Sequence, residues 1–182
     1  MTFANLITIL RMVFIPLFLL AITYGDARLA MWVFLIAGLS DGIDGFIARF
    51  YCQKTAFGAV LDPMADKLIL TSAYVALTIS SSAIPHPVPV WLAVLTISRD
   101  VVIVLIALAL NITLDIKRFS PTMLGKTTTF FQIAFIVGVL IQNAYSLPAL
   151  LVDTLLWTVA MLTVASGLHY LFRVPAQTRG LA

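Results

Sequence analysis

Glutamate is absent from this chain of 182 residues, and charge of any kind is scarce. All eight acidic side chains are aspartates, set against eleven lysines and arginines, and charged residues make up 10 % of the sequence, far below the roughly 25 % of a soluble domain. So little charge excludes an ordinary water-facing surface. A single cysteine, Cys52, excludes an internal disulfide and a cysteine-rich metal centre. The two histidines, His86 and His169, have no ligand partners at useful spacing. The net charge of +3 comes from scattered basic residues without interleaved aromatics, so no nucleic-acid partner is expected.

What the chain has instead is apolar length. Hydrophobic residues account for 62 % of it, with a mean hydropathy of +1.07. About 20 apolar residues cross a bilayer, and turn or polar clusters divide the sequence into six stretches of that size, at residues 5–24, 28–50, 58–80, 89–111, 121–143 and 148–172. The expected fold is an all-α integral membrane protein, a bundle of six transmembrane helices forming one domain over 1–182. The first apolar run lacks both a basic flank before it and an Ala-x-Ala cleavage pattern, so it is expected to remain as a spanning helix.

Loop charges orient such a bundle. Arg49, Lys54, Lys117, Arg118, Lys126, Arg173 and Arg179 lie toward one side, and Arg28 alone flanks the other. By the positive-inside rule both termini are cytoplasmic. Asp41 and Asp44 then fall near the cytoplasmic end of the second helix, and Asp62 and Asp66 near the cytoplasmic start of the third.

Four carboxylates at one level of a lipid-adapted chain need neutralising, because an intramembrane charge costs several kcal/mol (about 3 on insertion scales). Asp41, Asp44 and Ala48 are spaced i, i+3, i+7, and Asp62 and Asp66 are spaced i, i+4, so each set shares one helical face. Arg49 and Lys67 are the only near-sequence cations, too few to pair all four aspartates. Oxygen ligands without histidine favour a hard cation, Mg²⁺ or Mn²⁺. Gly45 and Gly58 omit side chains where a ligand must come close.

The pattern D-x2-D-G-x2-A-R-x8-G-x3-D-x3-D, running from Asp41 to Asp66, resembles at every fixed position the signature of the CDP-alcohol phosphatidyltransferases, a family of six-helix membrane enzymes. The opening Asn5, Thr8 and Arg11 are similar to the Asn-x-x-Thr-x-x-Arg stretch of its phosphatidylglycerophosphate synthase and cardiolipin synthase branches. The resemblance implies transfer of a phosphatidyl group from CDP-diacylglycerol to an alcohol with release of CMP. It implies two metal ions, Mg²⁺ or Mn²⁺, held by Asp41, Asp44, Asp62 and Asp66, with Asp66 also the general base. It assigns Gly45, Ala48, Arg49 and Gly58 to the CDP moiety. It further implies a bacterial inner-membrane location with a cytoplasmic active site, and a homodimer, which the family often forms.

For the acceptor, Arg11, Arg99 and Lys126 are the candidate contacts. Arg11 lies at the depth of the aspartates, Lys126 opens the fifth stretch beside Gly125, and Arg99 sits mid-helix in Ser98-Arg99-Asp100. An Arg-Asp neighbour pair reads equally as a structural pair or as an anion contact. The expected acceptor is glycerol-3-phosphate, with phosphatidylglycerol, the cardiolipin synthase substrate, as the alternative. Carboxylates on helix faces also build ion pathways, so a divalent-cation transporter is the competing class. Against it, the outward halves of the second and third stretches offer no polar continuation, as in Met31 to Ile36.

Overall fold

The computed structural model describes residues 3–51, 56–79, 84–114, 122–145 and 148–179, with side chains described for 12–40, 67–79, 84–106, 122–145 and 148–170. Six helices fill these segments: α1 (Phe3–Thr23), α2 (Ala27–Tyr51), α3 (Ala56–Leu77), α4 (Val90–Leu114), α5 (Met123–Tyr145) and α6 (Ala149–Arg179). The described residues contain no β-strand. All six helices overlap the apolar stretches expected from hydropathy. Two of them, over Met123–Tyr145 and Ala149–Tyr170, have described segments long and apolar enough to cross a membrane.

Three helix ends differ from the expectation by three residues or more, one of them that of the fourth helix, at Leu114 rather than at residue 111. The third helix stops at Leu77 rather than at residue 80. There Thr78 N–H and Ile79 N–H turn back to the carbonyls of Val75 and Ala76, an i→i−3 tightening that ends the α-helical ladder, and Leu77 O accepts instead from Val88 N–H at 2.8 Å. The last helix runs to Arg179 rather than to residue 172. Backbone hydrogen bonding continues past the point where apolar side chains give out, so hydropathy marks the apolar part and not the helix.

The α1–α2 junction is built by two residues. Asp26 N–H bonds to Ala21 O and Gly25 N–H to Ile22 O, the paired closure of a Schellman motif, which requires a left-handed residue at its centre. Gly25, with φ 85°, is that residue. Asp26 then caps α2, its Oδ1 accepting from Leu29 N–H at 2.9 Å, as an N-cap carboxylate does.

The chain divides into two compact units. The first comprises 1–88 and 136–149. In it α1 packs against both α2 and α3, with Phe18 tilted on Phe34 at 5.9 Å between centroids and Ala21, Ala30, Ala37 and Ala73 buried. Small residues of this kind let helix backbones approach closely, which is how helices associate in lipid. The end of α5 belongs to this unit. Asn143 Oδ1 accepts from His86 N–H at 2.9 Å and its Nδ2 donates to His86 O at 3.1 Å, so one amide pins the proline-rich 84–89 segment. Arg28 Cζ lies 5.4 Å from the Tyr145 ring centroid, within cation–π range.

The second unit comprises 89–135 and 150–182. Leu92 and Val159 are fully buried in it, and Trp91 and Trp157 meet at 6.0 Å while staying substantially exposed. In both units large apolar side chains face outward, among them Leu20, Trp32, Val94, Phe130 and Met161. A surface of that kind is suited to lipid tails.

Candidate active site

The motif positions fall on two helices of the first unit. Asp41, Asp44, Gly45, Ala48 and Arg49 lie in the last turns of α2, and Gly58, Asp62 and Asp66 in the first turns of α3. Continuous helical backbone through both segments puts 41, 44 and 48 on one stripe of α2 and 62 and 66 on one stripe of α3. Arg11 lies on α1, the helix that packs against both of the others. The side chains of these nine residues lie outside the described set, as do Cys52 and Lys54 altogether.

An all-oxygen donor set of four carboxylates drawn from two helices fits a hard divalent cation, in kind and in number.

The other acceptor candidates, Arg99 and Lys126, belong to the second unit. Lys126 is exposed, in the first turn of α5. That turn is capped by Thr122, whose Oγ1 accepts from Gly125 N–H at 3.0 Å and whose own N–H donates to the Tyr170 hydroxyl at 3.2 Å. Gly125 has a steric reason. A Cβ there would lie 3.2 Å from both Thr122 Oγ1 and Tyr170 Oη and 3.4 Å from Arg99 Nη2, tighter than ordinary contact, so the bare backbone admits the three polar groups.

Arg99 is 8 % exposed. Its Nη1 donates to Asp100 Oδ1 at 2.6 Å and its Nη2 to Ser166 Oγ at 2.5 Å, while Nε has no partner. The pairing half of the two readings of Ser98-Arg99-Asp100 is therefore present in the fold, with a member, Ser166, that spacing along α4 did not reveal. The available signal was on α6, where Thr163, Ser166 and Tyr170 recur at i, i+3, i+7 within an apolar helix. His86 and His169 are both exposed.

Comparison with known proteins bears on the family of the chain. The CDP-alcohol phosphatidyltransferase family matches residues 1–166. A probable phosphatidylglycerophosphate synthase of Mycobacterium tuberculosis is 32 % identical over 98 % of this chain and 84 % of its own length. The CDP-diacylglycerol--glycerol-3-phosphate 3-phosphatidyltransferase of Bacillus subtilis is 33 % identical over 91 % of each chain. Human cardiolipin synthase (CMP-forming) is 28 % identical over 97 % of this chain but 62 % of its own. With a family match that runs from the α1 arginine through both aspartate-bearing helices and on into α6, the chain belongs to the CDP-alcohol phosphatidyltransferase family.

Proposed function

We propose that the protein is an integral membrane enzyme with six crossings and cytoplasmic termini that transfers a phosphatidyl group from CDP-diacylglycerol to glycerol-3-phosphate, releasing CMP. The observation that carries this reading is the register of the aspartate motif on α2 and α3, in a chain whose family is defined by CDP-alcohol chemistry. Asp41, Asp44, Asp62 and Asp66 would hold Mg²⁺ or Mn²⁺, two ions in all. Bound there, the cations supply positive charge against the diphosphate and against the charge that develops on departing CMP.

The remaining work falls to the chain itself. Gly45 and Gly58 leave space for the nucleotide beside Ala48, and Arg49 offers a planar fork matched to phosphate oxygens. The acceptor hydroxyl oxygen forms a bond to the phosphorus that carries diacylglycerol. The bond from that phosphorus to the bridging oxygen breaks, and the oxygen leaves with CMP. Asp66 takes the hydroxyl proton on its carboxylate. Arg11, on the helix that packs against both aspartate-bearing helices, provides positive charge for the acceptor's phosphate, a charged hydrogen bond contributing about 1.5–3 kcal/mol.

Phosphatidylglycerol is the second acceptor to weigh, because relatives named cardiolipin synthase match nearly the whole chain. The phosphatidylglycerophosphate synthase relatives are matched over more of their own length, 84 and 91 % against 62 %, which favours the smaller acceptor. The distinguishing experiment offers purified protein both acceptors together with CDP-diacylglycerol and Mg²⁺ and identifies the lipid product by mass spectrometry. Phosphatidylglycerophosphate is expected. Cardiolipin formed while glycerol-3-phosphate stays untouched would reassign the acceptor and leave the phosphatidyl-transfer reading standing.

A further inference from the structure

The second unit buries more polarity than an apolar bundle can leave unpaired. Thr128, Gln132, Thr163 and Ser166 are at most 1 % exposed. Two of them are satisfied. Thr128 Oγ1 donates to Leu124 O at 2.6 Å, and Ser166 Oγ accepts from Arg99. Three buried atoms on three different helices have no partner: Gln132 Nε2 on α5, Thr163 Oγ1 on α6 and Arg99 Nε on α4.

These atoms lie along one line of contacts. Thr128 Oγ1 also reaches Leu162 O at 3.3 Å, which sets the register of α5 against α6. One turn along α5 from Thr128 is Gln132; next to Leu162 is Thr163; one turn along α6 from Thr163 is Ser166, which holds Arg99. A helical turn rises about 5.4 Å, so along the helix axes Gln132 lies about one turn from Thr163, and Thr163 about one turn from Ser166.

The chemistry of the three atoms restricts what can sit between them. Gln132 Nε2 and Arg99 Nε only donate, and the Thr163 hydroxyl both donates and accepts. Hydrocarbon offers no acceptor, and no protein carbonyl serves any of the three atoms. What sits beside each donor must accept a hydrogen bond, bond onward to a neighbour, and fit among close-packed helices. Water meets all three requirements.

We propose that the second unit contains a hydrated polar seam, in which ordered water bonded to Gln132, Thr163 and Arg99 connects α5, α6 and α4 inside an apolar bundle. The inference stands whichever acceptor the enzyme uses. Water at Nε completes the solvation of a guanidinium that otherwise has one carboxylate and one hydroxyl.

A near-isosteric substitution separates a wet seam from a dry one by sign. If Thr163 Oγ1 is unpaired and dry, Thr163→Val removes a buried orphan and holds or raises Tm. If the hydroxyl binds water, the valine strips that water of a partner and lowers Tm by a few degrees. The lower Tm, with helicity unchanged by circular dichroism, is expected; an unchanged or higher Tm overturns the proposal. Should Thr163→Val fail to fold, water-edited solid-state NMR on the wild-type protein in hydrated bilayers decides. Rapid magnetisation transfer from water to the Gln132 side-chain amide supports the seam, and its absence refutes it.

Discussion

A guanidinium among apolar helix faces is stable only when its charge and its donors are met, and Arg99 has Asp100 and Ser166 for that purpose. Removing one partner of such a pair leaves the other charged and stranded. Asp100→Ala is therefore expected to destabilise the protein by about 3 kcal/mol, read as a lower Tm in detergent. The double variant Arg99→Met, Asp100→Leu should recover most of that loss, because no uncompensated charge remains. The motif aspartates are expected to behave in the opposite way. Asn for Asp at Asp41, Asp44, Asp62 or Asp66 keeps the shape but removes ligand charge and proton acceptance, so each variant should insert normally and lose activity by 100-fold or more, on the order of 3 kcal/mol in transition-state stabilisation. Full turnover by Asp62→Asn, or by wild type in chelator, would contradict the assignment. At this scale the sequence was informative about the aspartates because their spacing alone implies a shared helix face. It was silent on Ser166, whose meaning depends on a contact 67 residues away.

Where helices begin and end, local chemistry decides, and the residues concerned differ in how plainly they show it. Gly25 and Asp26 fill the gap between the first two apolar stretches, where glycine takes a positive φ and aspartate caps the next helix. Gly25→Ala forces a side chain into the left-handed region and is expected to cost about 1 kcal/mol; Asp26→Ala removes a cap and should cost a similar ~1 kcal/mol. Thermal unfolding of the two variants tests this, and no loss from either would mean that the junction is held by packing alone. The end of α3 was not legible. Hydropathy carried the third stretch to residue 80, whereas the helix ends at Leu77, whose carbonyl accepts from a distant N–H, that of Val88. The clamp of Asn143 on His86 is equally non-local.

Across the whole molecule, six apolar stretches became six helices because the apolar residues that suit lipid also suit a continuous helical ladder, which lipid demands. Sidedness rests on a different property, the distribution of lysine and arginine over the loops, and needs its own test. In intact cells, cysteine introduced at Ser82 is expected to label from outside, while native Cys52 and a cysteine at Thr178 stay protected; labelling at Thr178 instead would invert the topology. The predicted labelling pattern would put the aspartate-bearing parts of α2 and α3, and with them the proposed activity, on the cytoplasmic side. The most direct test of the account is stoichiometric: purified protein is given CDP-diacylglycerol, Mg²⁺ and glycerol-3-phosphate, and CMP and lipid product are counted together. One CMP per phosphatidylglycerophosphate, with none formed when the acceptor is omitted, is the predicted result; CMP released without an acceptor, or no CMP from any offered alcohol, would contradict phosphatidyl transfer.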